Sequence, residues 1–177
     1  MVKPEIVVLR YGHRLVRDYR VTSHCCLVGR AFGAKKVVIA GDEDKSISKS
    51  VKDIVKRWGG SFKVEFSESW RKSLSGFRKK GFFVVHLTMY GIPVKEKEKE
   101  IGEKKKILVV VGSQKVEKEV YGAAEANISV TSQPHSEIAA LAVFLDRIQK
   151  GSELKKRFSD AKIRVVPQKC GKKVERK

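Results

Sequence analysis

Cysteine is scarce in this 177-residue chain: Cys25 and Cys26 stand side by side and Cys170 lies near the end. An odd count with no framework spacing argues against a disulfide-stapled module and for a reducing compartment. A domain of this length buries about 70% of its unfolded surface and needs no staples. No apolar run approaches the ~20 residues that cross a bilayer. The opening Val2-Lys3-Pro4 leads directly into a strand-like run without a leader pattern. The expectation is a soluble, cytoplasmic protein with no membrane partner. Common nucleotide fingerprints are missing too, since there is no Gly-x-Gly-x-x-Gly after the first strand-like run and no Walker loop. The four histidines, His13, His24, His86 and His135, do not have zinc-ligand spacing. His24 adjoins Cys25 and Cys26 too closely for the three to share one ion easily, so no metal is expected.

Acidic residues are also in short supply. Lys and Arg number 39 against 20 Asp and Glu, a formal net charge of +19. Lys-Glu runs alone would suit a hyperthermophile surface, but not so lopsided an excess. A polyanionic partner, a nucleic acid, is the economical explanation. With 41% hydrophobic residues the chain can nonetheless build a globular core.

Hydrophobic patterning predicts alternating strands and helices. Ile6 to Leu9, Val37 to Ala40, Phe62 to Phe66, Phe82 to Leu87, Ile107 to Val111 and Ile128 to Val130 read as strands. The unbroken Ile107 to Val111 run suits a strand buried on both faces of a parallel sheet. His24 to Phe32 reads as a helix stopped by Gly33. The recurrence of Ile47, Val51, Ile54, Val55 and Trp58 reads as a second helix, ended by Gly59-Gly60. Trp70, Leu74 and Phe77 mark a third. Ile138 to Leu145 is apolar all round and predicts a deeply buried helix. Lys95 to Lys106 is expected to be an exposed loop or solvated turn. A basic helix over Glu153 to Phe158, a strand over Lys162 to Val166 and a frayed basic tail from Gln168 complete the reading. The fold class is α/β with a mostly parallel sheet and flanking helices. Residues 1–150 read as one domain and 151–177 as a basic C-terminal extension, packed on the domain or on a dimer partner.

Three loops follow apolar segments: His86-Leu87-Thr88-Met89-Tyr90-Gly91, Gly112-Ser113-Gln114-Lys115-Val116, and Ser132-Gln133-Pro134-His135-Ser136-Glu137. In open α/β sheets ligands sit beyond the carboxyl ends of strands, so the three can converge on one cofactor. Taken singly, Gly91 and Gly112 also fit plain turns, and Ser136 fits a helix cap. Arg10, Arg14, Arg17 and Arg20 recur every three or four residues. On a helix or ordered loop they form either a basic strip for an RNA backbone or a solvated charged face.

These loops, with Arg17 to His24, Gly29-Arg30-Ala31-Phe32-Gly33-Ala34, Leu108 to Val116 and Gln133 to Asp146, carry a resemblance over residues 17–146. The chain resembles the SPOUT (trefoil-knotted) methyltransferases, and among them the archaeal tRNA cytidine-56 ribose 2′-O-methyltransferases. The resemblance implies a C-terminal trefoil knot and an obligate homodimer with the active site near the subunit interface. It also implies S-adenosylmethionine held bent among the loops, by Leu87 to Gly91, by Val111 to Val116 including Ser113, Gln114 and Lys115, and by Val130, Thr131, Ser132, Gln133, Pro134, His135, Ser136 and Glu137. Arg30 matches the arginine with which ribose-methylating relatives engage the 2′-hydroxyl and nearby phosphate, a task suited to a bidentate guanidinium. Asp18 and His24 are the other catalytic candidates. The chain departs from the wider class at His24, where many have Asn, at Gln114, where many have Glu, and at Glu137-Ile138, where many have Leu-Asn. No proton-transfer role therefore carries over from that class.

The resemblance implies transfer of a methyl group to a tRNA ribose. Two alternatives are a base methylase of the same fold and a catalytically silent RNA-binding protein. The arginine in Gly29-Arg30-Ala31-Phe32-Gly33 favours the ribose subclass, and the intact loops argue against a silent protein.

Overall fold

The computed structural model describes residues 3–112 and 116–177. The elements run β1 (Glu5–His13), α1 (Tyr19–Ala31), β2 (Lys36–Gly41), α2 (Lys45–Trp58), β3 (Lys63–Ser67), α3 (Trp70–Lys79), β4 (Phe83–Pro93) and α4 (Val94–Gly102). They continue with β5 (Lys106–Gly112), α5 (Lys118–Ala123), β6 (Ala126–Ser129), α6 (Glu137–Gln149), β7 (Ile163–Val166) and β8 (Lys173–Arg176). Strands β3-β2-β1-β5-β4-β6 form one six-stranded sheet, and every pairing in it is parallel.

The unbroken apolar runs explain the layering. Alternate residues of each strand face opposite sides, and both sides are covered. Ile6, Val8, Ile39, Val85, Ile107, Val109 and Val111 pack with residues of α1, α2, α4 and α6. Val7, Leu9, Val38, Val84, Leu108 and Val110 face the other way, toward Leu74 and Phe77 of α3 and Val120 of α5. Helix ends follow local chemistry. The Asp44 carboxylate accepts from Ser46 N at 2.9 Å to cap α2, and Gly59 ends that helix at φ 75°, a conformation glycine adopts without strain.

Six features of the structure differ from the sequence pattern. His86 to Gly91 is not a loop after a strand, because β4 runs on to Pro93 and only its register with β6 breaks, between Leu87 and Ile92. Lys95 to Lys106 is not a solvated turn, because α4 occupies most of it. Val94 and Ile101, seven residues apart, share the buried face of α4, and Arg147 of α6 donates to Glu98 at 2.6 Å. Helix α6 is not buried all round, since Val143 is 42% exposed and Ala139 also faces solvent. Glu153 to Phe158 forms only a 3-10 turn at Ser152–Lys155. Helix α5 was not anticipated. The tail is not wholly frayed, because β8 pairs antiparallel with β7.

Residues 151–177 pack back on the end of α2. Lys162 N donates to Arg57 O at 2.9 Å, and Gly60 N donates to the Asp160 carboxylate at 2.9 Å. The Phe158 ring lies so close to Gly60 that a Cβ there would stand 2.5 Å from it. One local feature bears on the site: Leu87 and Ile92 of β4 both pair with Ile128 of β6, with a register shift between them.

Candidate active site

A cavity of about 270 Å³ opens beside the middle of β4, where β5 and β6 end and α6 begins. Its wall combines Leu87, Val111, Ile128, Val130 and Ala140 with Thr88, Met89, Pro134, His135 and Glu137. The parallel topology produces this place, because β5 and β6 release their chains on either side of β4, whose register with β6 breaks just beyond Leu87. Ser136 caps α6, its Oγ accepting from Ile138 N at 3.1 Å. That cap sets the first turn so that Glu137 reaches the cavity.

Of the residues expected to hold a cofactor, Leu87, Thr88, Met89, Val111, Val130, Pro134, His135 and Glu137 meet at the cavity. Ile128 and Ala140 join them although no loop pattern marks them, since Ile128 lies one position inside the end of β6 and Ala140 three positions inside the start of α6. Tyr90 and Gly91 border a separate hollow beside Asn127. Thr131, Ser132 and Gln133 are exposed in the loop, where Thr131 Oγ1 accepts from Gln133 N at 3.2 Å. Val116 packs against the α3–α5 cluster. Ser113, Gln114 and Lys115 lie outside the described residues.

Two buried histidines are fixed by hydrogen bonds, His86 next to the cavity residue Leu87 and His13 at the end of β1. His86 Nδ1 is 2.9 Å from Asn127 Oδ1 and stands edge-on to Tyr121. The Tyr121 hydroxyl is 3.2 Å from Thr88 Oγ1. His13 Nδ1 is 2.9 Å from Thr22 Oγ1. Burial lowers the pKa of both imidazoles, so the neutral forms are favoured.

The arginines do not form one strip. Arg10 sits on β1 and is fully buried, because even-numbered positions of β1 face α1 and α6. Its guanidinium donates to Gly112 O and to Glu137 Oε1, which removes it from any solvent-facing row. Arg14 grips the Asp18 carboxylate through Nε at 2.9 Å and Nη2 at 3.1 Å. Burial alone would raise the Asp18 pKa, but the Arg14 contacts outweigh it and the net direction is down. Arg17 and Arg20 are exposed, as is His24 on α1.

Arg30 lies elsewhere. It borders a basic groove of about 690 Å³ between the ends of α1 and α2 and the C-terminal extension. Its Nη2 donates to Gly59 O at 2.6 Å, and its guanidinium carbon stands 4.9 Å from the centre of the Phe158 ring. The groove and the strand-end cavity share no lining residue.

A sequence profile described as "tRNA ribose 2'-O-methyltransferase, aTrm56" matches residues 58–175. The chain belongs to this family. A Methanopyrus kandleri protein named tRNA (cytidine(56)-2'-O)-methyltransferase is 49% identical over 175 residues, 99% of this chain and 98% of its own length. A Thermococcus kodakarensis protein of the same name is 51% identical over 173 residues, 96% of each chain. Among solved structures, a putative RNA methyltransferase of the TrmH family from Porphyromonas gingivalis superposes with a TM-score of 0.65 at 16% identity, covering 85% of this chain and 61% of that one. The A. aeolicus TrmH/SpoU tRNA modifying enzyme gives 0.59 at 15% identity, covering 88% of this chain and 78% of that one. These structural likenesses establish the SPOUT-type fold of the sheet and its helices. Asp18, His24 and Arg30 precede the stretch that the family profile matches, but both full-length relatives span them.

Among the described residues no group of His, Cys, Asp and Glu could hold a metal ion, and no helix is long and apolar enough to cross a membrane.

Proposed function

We propose that this chain methylates the ribose 2′-hydroxyl of cytidine 56 in tRNA, with S-adenosylmethionine in the strand-end cavity. The carrying observation is the composition of that cavity. Leu87, Val111, Ile128 and Ala140 form an apolar wall suited to a purine, and Glu137 presents a carboxylate suited to a cationic group. When bound, S-adenosylmethionine supplies a methyl group on a sulfonium, an electrophile that needs little activation. The chain's own task is to position the hydroxyl and favour charge developing on its oxygen. Arg30 does this with a planar fork that matches a ribose-phosphate and would repel a sulfonium. Asp18 and His24 stand on or beside the same helix as candidates to receive the hydroxyl proton.

Two copies make the site. Within one chain the groove that Arg30 borders shares no lining residue with the cavity, so Arg30 serves a cavity in the partner copy. Leu27 of α1 and Val143 of α6 are 38% and 42% exposed on helices that pack together, an apolar face consistent with a homodimer. The trefoil knot belongs to this reading, and the double pairing of Ile128 with Leu87 and Ile92 is consistent with it. Residues 1–150 form the catalytic domain, with 151–177 as its basic extension. Arg17 and Arg20, with the excess of Lys and Arg, contact the tRNA backbone. A tRNA substrate places the work in the cytoplasm.

The test is to incubate the protein with unmodified tRNA and methyl-labelled S-adenosylmethionine, then digest and identify the labelled nucleoside. The expected product is 2′-O-methylcytidine, lost when position 56 is changed. A base-methylated nucleoside would overturn the reading.

A further inference from the structure

Arg10 is the largest side chain that is fully buried in the described residues. It projects from β1 onto the same side of the sheet as Ile6 and Val8, between Ile39 on β2 and Val111 on β5 in register. An aliphatic residue would suit that position, and replacing buried ion pairs by apolar groups is often neutral or stabilising. Its charge therefore calls for another explanation.

The contacts give one. Nη1 donates to Gly112 O at 2.5 Å, Nη2 to Glu137 Oε1 at 3.2 Å, and Nε to Thr22 Oγ1 at 3.5 Å. Gly112 ends β5, where the second loop begins. Glu137 opens α6 and lines the cavity. Thr22 lies on α1, one turn beyond Asp18, and also meets His13. A single planar fork thus spans three elements that no local interaction would hold in register. Glu137 is about one-third exposed while Arg10 is not exposed at all, so the pair opens toward the cavity at its acidic end.

We propose that Arg10 is a positioning residue for the methyl donor. It fixes the Gly112 carbonyl and aims the Glu137 carboxylate into the cavity, and through Thr22 it holds helix α1 to the same frame. The proposal rests on the cofactor occupying the strand-end cavity.

The experiment measures S-adenosylmethionine binding by calorimetry and tRNA binding without cofactor by fluorescence anisotropy. The variants are Arg10→Gln, Arg10→Lys, Glu137→Gln, the Arg10→Gln/Glu137→Gln pair, and Ala140→Phe. Arg10→Gln should weaken cofactor binding about tenfold or more, the size expected when a charge-assisted hydrogen bond is lost. Its tRNA affinity and the salt dependence of that affinity should stay at wild-type values. A merely structural role would weaken both ligands together, and a backbone-contact role would lower the salt slope alone. Arg10→Lys cannot span Gly112 and Glu137 at once and should recover only part of the affinity. The double variant should bind the cofactor no worse than Arg10→Gln. Wild-type cofactor affinity in folded Arg10→Gln would overturn the proposal. If Arg10→Gln does not fold, wild-type cofactor affinity in Arg10→Lys would do so. Ala140→Phe should abolish cofactor binding by filling the cavity. Undiminished binding there would overturn the placement of the cofactor itself, whereas loss there with retention in Arg10→Gln would overturn only the role of Arg10.

Discussion

Arg30 and Gly59, at the ends of two neighbouring helices, are joined by a 2.6 Å hydrogen bond from the guanidinium to the carbonyl. One donor of the five is thereby committed, and the Phe158 ring packs against the same group. The arginine is held by the fold, at the edge of the basic groove rather than in the strand-end cavity.

Arg30→Ala should leave S-adenosylmethionine binding nearly intact and lower single-turnover methylation of tRNA by about a hundredfold or more, the loss expected for one transition-state contact. Arg30→Lys should restore little, since a point charge does not reproduce a fork. Near wild-type turnover in Arg30→Ala would remove it from the mechanism and leave Asp18 or His24 as candidates.

Gly91 is required by close packing of β4 on β6. A Cβ there would stand 2.5 Å from the backbone of Asn127 and Ile128, which cannot turn aside as a side chain can. Gly91→Ala should cost about 1–3 kcal/mol of stability, read as a lower Tm. Cofactor affinity should fall with it, because Thr88 and Met89 lie on the same segment. Gly122→Ala on α5 meets nothing within 4 Å and should be neutral or slightly stabilising. Equal Tm values for the two variants would refute the packing argument.

The buried histidines give stability a pH dependence of known sign. Burial lowers His13 and His86 below their ordinary value of 6.5. The unfolded chain therefore takes up protons before the folded one does, and unfolding becomes easier as pH falls. Their contribution is fully present above about pH 6.5 and declines through the interval beneath it. Tm followed from pH 8 to pH 5 should be flat and then drop, and His86→Asn should make the drop shallower. An unchanged profile in that variant would rule out His86 as a contributor.

The net charge of +19 predicts a steep salt dependence of tRNA affinity. The log–log slope should be roughly −0.7 to −0.9 per phosphate contacted. Double substitution of Arg17 and Arg20 by Ala should reduce the slope by about one to two. Affinity that does not change between low and physiological salt would show that the charge does not serve tRNA.

Much of the architecture was legible because it depends on local periodicity. Val109-Val110-Val111 had to be a strand covered on both faces, and Ile47, Val51 and Val55 had to lie along one side of a helix. Helix α4 escaped the reading because only Val94 and Ile101 signal its buried face amid lysines and glutamates. The pairing of β8 with β7 escaped because it joins residues about ten apart through a loop with little apolar content.

The sequence alone determined a basic α/β domain, since alternation, helical spacing and charge count are properties of neighbours along the chain. It also carried the family resemblance that named the reaction. The tertiary structure decided which of the arginines are on the surface. Arg10, Arg14, Arg17 and Arg20 are evenly spaced, but a spacing defines a face only once the element is known. Here the first lies on a strand, where alternation turns it inward, the second is tied to Asp18 in a turn, and the last two reach solvent. The sheet order likewise brings Gly112 and Glu137, 25 positions apart, to one guanidinium, and sets Arg30 apart from the cavity. Those relations follow from strand order and long-range packing, which no local window of the sequence contains.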